Sequence, residues 1–210
     1  MCSHDLHSLI EQCKPVVQSL IRKQDRRSQL YRDRYEHTLR VLNWAERIQK
    51  VDGGEIAVVS LAVMFHDAGW SDTTNHAVVS ADLAEKFLNG MHVEPQVVDR
   101  IVSAVKTHNL RGIPKEDLSL ENRIVMDADL LDELGVTALV WDALATAGDA
   151  NPGYVKVFEK DKKYYSSAAK KISQLKTETG MKLYQERLKI WGLLLENLAY
   201  ELGLSDPDLK

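Results

Sequence analysis

The segment Ile56 to Gly69, IAVVSLAVMFHDAG, constrains this chain more than any other. Ile56, Ala57, Val58, Val59, Leu61, Ala62, Val63, Met64 and Phe65 make it apolar on every side, so it reads as a helix buried in a core. His66 and Asp67 end the apolar run, and Gly69 supplies a helix stop. An imidazole and a carboxylate are therefore expected at the end of a buried helix. Burying the carboxylate is costly unless something positive meets it, and the negative end of the helix dipole adds to the cost. A bound cation resolves both penalties. On these two residues alone, a local His–Asp pair hydrogen-bonded to a loop is an equal alternative.

With 210 residues, 44% of them hydrophobic and 28% charged, the chain has core material for one large domain. A net charge of -4 gives no global pull toward a nucleic acid polymer. Only Cys2 and Cys13 could pair, and both lie near the N-terminus, which fits a reducing cytosol. No apolar run reaches the roughly 18 residues of a membrane span, and MCSHDLHSLIEQ lacks a signal peptide's basic start and apolar stretch. A cytoplasmic protein that does not engage membranes is expected.

No strand pattern or internal repeat is evident, and helical periodicity recurs throughout. Helix is expected from about Asp5 to Asp25 with an interruption near Pro15. Arg22, Lys23, Arg26 and Arg27 there form a cluster read as a solvated face. A helix from about Asp33 to Lys50 carries His37, Val41, Trp44 and Ile48 on one stripe, so His37 faces inward. After the polar turn SDTTN, a helix from about Asn75 to Leu88 places His76, Ser80, Leu83 and Phe87 together. The next, Pro95 to Asn109, ends its stripe Val98, Ile101, Val105 with His108. ENRIVMDADLLDELG reads as a helix stopped by Gly135, with Asp127 and Asp129 in an otherwise apolar element. Gly135 to Gly148 is a further apolar helix expected to pack in the core. DANPG, Asp149 to Gly153, marks a boundary. The lysine-rich stretch beyond it and a helix from about Glu178 to Leu202, with Tyr184, Leu188, Trp191, Leu195 and Leu198 at helical spacing, read as a cap. The expected organisation is a metal-binding helical domain over residues 1–153 and a C-terminal helical cap over 154–210, packed on the same domain.

The candidate ligands in order are His37, His66-Asp67, His76, His108, and Asp127 or Asp129. Separate helices supply them, and each histidine lies at an inward position. Two imidazoles and two carboxylates without thiolate suit Mn²⁺, Mg²⁺, Fe²⁺ or Ni²⁺ better than structural zinc.

The order H…HD…D, with the pair in FHDAG and the last aspartate in RIVMDADLLDELG, resembles the HD superfamily of metal-dependent phosphohydrolases. The resemblance covers about Tyr31 to Leu134. It is nearest to the small stand-alone bacterial HD hydrolases, through DADLLDELG, KDKKYY and the final long helix. It implies an all-α HD-type helical bundle and divalent-metal-dependent cleavage of a phosphoanhydride or phosphoester, of a nucleotide such as a nucleoside triphosphate. It implies His37, His66, Asp67 and Asp129 as ligands of one metal, with Asp67 also orienting the attacking water. Periodicity alone leans to Asp127, which shares a stripe with Ile124, Leu131 and Leu134. The family register, an alanine, the liganding aspartate and another aspartate three later, matches Ala128, Asp129 and Asp132.

His76 and His108 sit where two-metal HD families, such as the HD-GYP phosphodiesterases, add histidines. The chain reads NLRGIP where those carry a GYP phrase, which counts against a cyclic-dinucleotide substrate. Phosphate contact or pocket lining is expected of His76 and His108 ahead of a second metal. Arg40, Lys106, Lys162, Lys163 and Tyr164 are further candidates for holding a phosphorylated small molecule. Rival readings are a regulatory module that binds a nucleotide without turnover and a di-iron oxygenase of HD fold. A homodimer is compatible with the sequence.

Overall fold

The computed structural model describes residues 3–24, 33–70 and 75–204. Their regular structure is all helical: α1 (Ser3–Arg22), α2 (Arg34–Asp52), α3 (Ile56–Phe65), α4 (His76–Gly90), α5 (Pro95–Thr107), α6 (Leu120–Asp132), α7 (Val136–Ala147), α8 (Tyr154–Lys170) and α9 (Glu178–Glu201). Single 3-10 turns occupy Lys115–Asp117 and Lys171–Gln174, and no strand occurs among the described residues.

Side chains start several of these helices by taking up backbone N–H groups that have no partner within the helix. Asp33 accepts from the amides of Tyr35 and Glu36, Asn75 from Ala77, Ser119 from Asn122, and Thr177 from Gly180. Pro95 opens α5, where its missing N–H costs nothing. Gly53 ends α2 with φ 88°, a left-handed turn that glycine takes without a Cβ penalty.

Helix α3 is the hub. Every residue from Ala57 to Phe65 is buried, and the helix contacts α1, α2, α4, α5 and α6. It was read from its all-round apolarity, and five neighbours provide the surface such a helix requires. It stops at Phe65, four residues before Gly69, and His66 to Gly69 form a turn. Helix α9 packs on α2 and α6, and α8 packs between α7 and α9.

Two expectations fail. Helix α1 runs unbroken through Pro15. Proline removes its own N–H bond and crowds the carbonyl one turn back, and the continuous face that Leu9, Ile10, Cys13, Val17 and Ile21 bury across it offsets that cost. Helix α7 is not a core helix. Val136, Val140 and Leu144 on one stripe are each about half exposed, whereas Asp142 and Thr146 are buried. It packs mainly on its neighbours α8 and α9, through the stripe Ala138, Asp142, Thr146. Of the basic cluster, Arg22 and Lys23 are exposed. Arg26, Arg27 and the first four residues of SDTTN lie outside the described residues.

Candidate metal centre

The histidines reach one another because helix ends converge on α3. His66 and His108 each lie one residue past their helix, α3 and α5. Each Nδ1–H donates to a carbonyl of its own last turn, that of Val63 at 2.6 Å and that of Val105 at 2.7 Å. Carbonyls of a last helical turn have acceptor capacity left for a side chain, so the bond fixes both ring and tautomer and leaves the Nε2 lone pair facing inward. His37, on α2, has its Nδ1 2.7 Å from Asp132 Oδ2. His76 is the first residue of α4 and remains a quarter exposed.

Two groups of possible metal ligands result: His37, His66 and Asp129, and Asp67, His76 and His108. Within each, the donor atoms lie within 4.8 Å of one another. His37 Nε2 and His66 Nε2 are 3.2 Å apart and lie 3.4 and 3.8 Å from Asp129 Oδ1. His76 Nε2 and His108 Nε2 are 3.3 Å apart and lie 3.5 and 4.0 Å from Asp67 Oδ1. The other oxygen of Asp67, Oδ2, faces the first group, 3.6 Å from His37 Nε2 and 3.7 Å from His66 Nε2. Asp67 therefore stands between the groups with one oxygen toward each. Facing lone pairs at such distances repel unless a proton or cation lies between them, and four buried or half-buried imidazoles with two carboxylates and no thiolate fit a divalent cation.

The electrostatics agree. Burial works against a charged His37, yet its hydrogen bonds to Asp129 and Asp132 and the nearby carboxylates push it up to about 9. Its proton stands in for a cation. Burial lowers His66, His76 and His108, the last to about 4, and the charge of His66 adds to the shift of His108. Burial opposes ionisation of Asp67 and Asp129. His66, Arg34 and His37 nevertheless hold Asp67 below the usual carboxylate range, and His37 and Arg111 do the same for Asp129.

Arg34 and Arg111 were not singled out from the sequence. Arg34 Nη1 donates to Asp67 Oδ2 at 2.7 Å, and Arg111 Nη2 to Asp129 Oδ2 at 2.6 Å. Arg111 Nη1 also donates to the Met126 carbonyl at 2.6 Å. The available signals were position only: Arg34 is one turn before His37, and Arg111 follows His108 in NLRGIP. Asp132 supports His37 and accepts two bonds from Arg40, at 2.8 and 3.0 Å. Arg40 thus sits behind His37 rather than among the ligands. Lys106 and Lys163 are exposed, and neither belongs to the two ligand groups. Lys162 is half buried and Tyr164 about half exposed, both on α8 outside these groups. His76 and His108, expected on substrate, lie with Asp67 in a second group that could hold a metal ion.

Asp127 points elsewhere. Its carboxylate accepts from the amides of Lys176 and Thr177 and from Thr177 Oγ1, all at 2.7–3.1 Å, and so secures the start of α9.

Residues 34–134 match the HD domain family. This is an HD-domain protein. Solved structures match over nearly the whole chain. An HD-superfamily hydrolase of Bacillus thuringiensis aligns with TM-score 0.72 at 17% identity, covering 95% of this chain and 100% of its own. YpgQ of Bacillus subtilis in complex with ADP aligns with TM-score 0.68 at 19% identity, covering 96% and 97%. A predicted HD superfamily hydrolase from an uncultured Thermotogales bacterium aligns with TM-score 0.65 at 20% identity, covering 91% and 92%. At these identities the likeness shows a shared fold alone. No curated protein sequence matches the chain. No described helix is long and apolar enough to cross a membrane.

Proposed function

We propose that the chain is a metal-dependent phosphohydrolase acting on a phosphoanhydride or phosphoester of a nucleotide. The observation that carries this reading is Asp67 standing between two donor groups, with an arginine on each of Asp67 and Asp129. His37, His66 and Asp129 would hold one divalent ion, His76 and His108 a second, with Asp67 shared. The pairing of His76 with His108 beside Asp67 Oδ1 favours this second ion over a substrate role for the two histidines. An ion so held would supply Lewis acidity, polarising a phosphoryl oxygen and lowering the pKa of water toward neutrality.

The protein's own groups supply the rest. Asp67, below the usual carboxylate range, is a weak base, so it acts by accepting a hydrogen bond that orients the attacking water. The guanidinium groups of Arg34 and Arg111 match phosphate oxygens with paired N–H donors. At the two carboxylates they are positioned to stabilise charge that develops on a transferring phosphoryl group. Asp132 keeps the His37 ring oriented, and Arg40 in turn holds Asp132. The nucleotide preference draws support from the ADP bound by the structurally similar YpgQ.

The test is a screen of nucleoside mono-, di- and triphosphates with Mn²⁺, Mg²⁺, Fe²⁺ or Ni²⁺, with products identified by mass. Metal-dependent release of phosphate or pyrophosphate, lost in His66→Ala, is expected. Nucleotide binding with no product under any metal would replace this reading with the regulatory one. Oxygen consumption by an iron-loaded protein would replace it with the oxidative one.

A further inference from the structure

The loop between α5 and α6, residues 108–119, carries Arg111 to the metal centre, yet most of it faces water. Leu110, Gly112, Pro114, Lys115, Glu116 and Asp117 are all exposed. Short backbone bonds shape its first half, from the amides of Leu110, Arg111 and Ile113 to the carbonyls of Thr107, Asn109 and Leu110. These bonds lie within the turn itself and anchor it to nothing else. An arginine there carries a long side chain whose ordering costs conformational entropy, so its fixed place at Asp129 needs outside support.

Lys176, half buried just before α9, provides it. Its Nζ donates to the Arg111 carbonyl at 3.1 Å and to the Ile113 carbonyl at 2.8 Å. The two carbonyls converge on one point, and a lysine head, which only donates, satisfies both. Lys176 is itself anchored. Its amide donates to the Asp127 carboxylate, with the two oxygens at 2.8 and 3.1 Å, and Thr177 adds its amide and hydroxyl to Oδ2 at 2.7 and 2.8 Å. Thr177 caps α9, and Gly180 in the first turn admits the carboxylate: a Cβ there would lie 2.5 Å from Asp127 Oδ2.

These contacts close a ring. Asp127 holds the Lys176 backbone, and the Lys176 side chain holds the backbone of Arg111. Arg111 returns to α6, donating to the Met126 carbonyl and to Asp129 Oδ2, both at 2.6 Å. Met126, Asp127 and Asp129 all belong to α6. The guanidinium is therefore located by α6 and the start of α9, not by the exposed loop that bears it. A lysine that merely tied the C-terminal helices to the bundle could take any surface acceptor. Lys176 takes the carbonyl of the residue whose side chain reaches Asp129.

We propose that Lys176 is a positioning residue for Arg111: by fastening the α5–α6 loop to the start of α9, it keeps the guanidinium aimed at Asp129 and at a phosphoryl group beside it. Its partners are two loop carbonyls and Asp127, so it acts through Arg111 and not on the reacting groups. A donor held in place beforehand stabilises developing charge without reorganising at the moment of reaction. The consequence for phosphate rests on the hydrolytic reading; the placing of Arg111 does not.

The experiment compares the intact wild-type protein with Lys176→Met, which keeps the aliphatic stem and removes the donors. Nitrogen-15 NMR of the arginine side chains reads how fast guanidinium protons exchange with water in the metal-free protein. Exchange at Arg111 should be about tenfold faster in Lys176→Met, the scale of one or two lost hydrogen bonds. Arg34, held by Asp67 at 2.7 Å, should not change, which separates a lost anchor from general loosening. Binding of inorganic pyrophosphate to the Mn²⁺-loaded protein, followed by calorimetry, should weaken by about the same factor. Thermal melting checks that the variant folds; if Lys176→Met does not, Lys176→Gln, which is too short to span both carbonyls, is read in the same way. Unchanged exchange at Arg111 in a folded variant would overturn the proposal. Equal acceleration at Arg34 and Arg111, or equal pyrophosphate affinity in wild type and variant, would do so too. A wild-type protein that binds no pyrophosphate counts against the hydrolytic reading, and the exchange result then decides the placing of Arg111 by itself.

Discussion

Asp127 and Asp129 stand two positions apart on α6, and both are buried, so the helical stripe alone carries no direction. Their partners separate them. Asp129 meets His37, His66 and Arg111, whereas Asp127 meets the backbone that starts α9. Asp129→Ala should lower metal affinity by more than the roughly 10–100-fold that losing a supporting residue costs. Asp127→Ala should leave metal affinity alone and cost about 2–4 kcal/mol, since it strands buried donors at Lys176 and Thr177. Metal titration and thermal melting on both variants check the pair; swapped outcomes would reverse the assignment. His37 yields a second prediction at this scale. Raised to about 9, it carries a proton at pH 7 that a metal must displace. Metal uptake at pH 7 should therefore release about one proton, measured by calorimetry in buffers of different ionisation enthalpy. The place of Asp129 beside His37 and His66 was legible only through the motif register Ala128, Asp129, Asp132. Arg34 and Arg111 were not legible at all, because an arginine in sequence does not disclose which carboxylate it will meet.

At the scale of elements, the legible parts were those whose pattern had one physical solution. An all-round apolar α3 must be enclosed, and the inward stripes of α2 and α5 carry His37 and His108 to its side. Helix α7 was misread because composition does not fix register. Its apolar residues fall on Val136, Val140 and Leu144, while contact with α8 and α9 buries the Asp142 stripe. Between α3 and α4, Gly69 permits a close approach. Its N–H donates to Ser80 Oγ at 2.9 Å, and a Cβ there would lie 2.6 Å from Val79 Cγ1 and 2.7 Å from the Ser80 amide nitrogen. Backbone this near cannot yield without moving α4, and His76 is the first residue of α4. Gly69→Ala should cost about 1–3 kcal/mol of stability. It should also weaken a metal held by Asp67, His76 and His108 while sparing one held by His37, His66 and Asp129. Elemental analysis across a metal titration reads this as a drop from two ions per chain to one. Equal loss of both ions would mean that the two groups form a single site.

Across the whole molecule, the clustered imidazoles should make stability depend on pH differently with and without metal. In the metal-free protein His37 is raised from 6.5 to about 9. The folded state binds its proton more tightly, so that contribution is fully present below pH 6.5 and is lost as pH rises through 9. His108 is lowered from 6.5 to about 4, so its contribution is present above 6.5 and is lost as pH falls toward 4. His66 and His76 shift in the same direction as His108. Asp67 and Asp129 are depressed, and their contribution disappears only below the ordinary carboxylate value of 3.8. Asp127, raised to about 6, and Asp161, raised to about 7, work the other way, favouring the fold at low pH and flattening the acid limb. The metal-free protein should therefore be most stable near pH 6.5 and lose stability on the alkaline side. A bound metal requires His37 neutral, which removes the alkaline loss. The stability difference between metal-loaded and metal-free protein should then grow between pH 6.5 and 9 by about 1.4 kcal/mol per pH unit for the one proton involved. Urea titrations at pH 6.5, 7.5 and 8.5, with and without excess Mn²⁺, measure that slope. A difference independent of pH would show that His37 is already neutral before the metal arrives and that its Nε2 needs no proton to face His66.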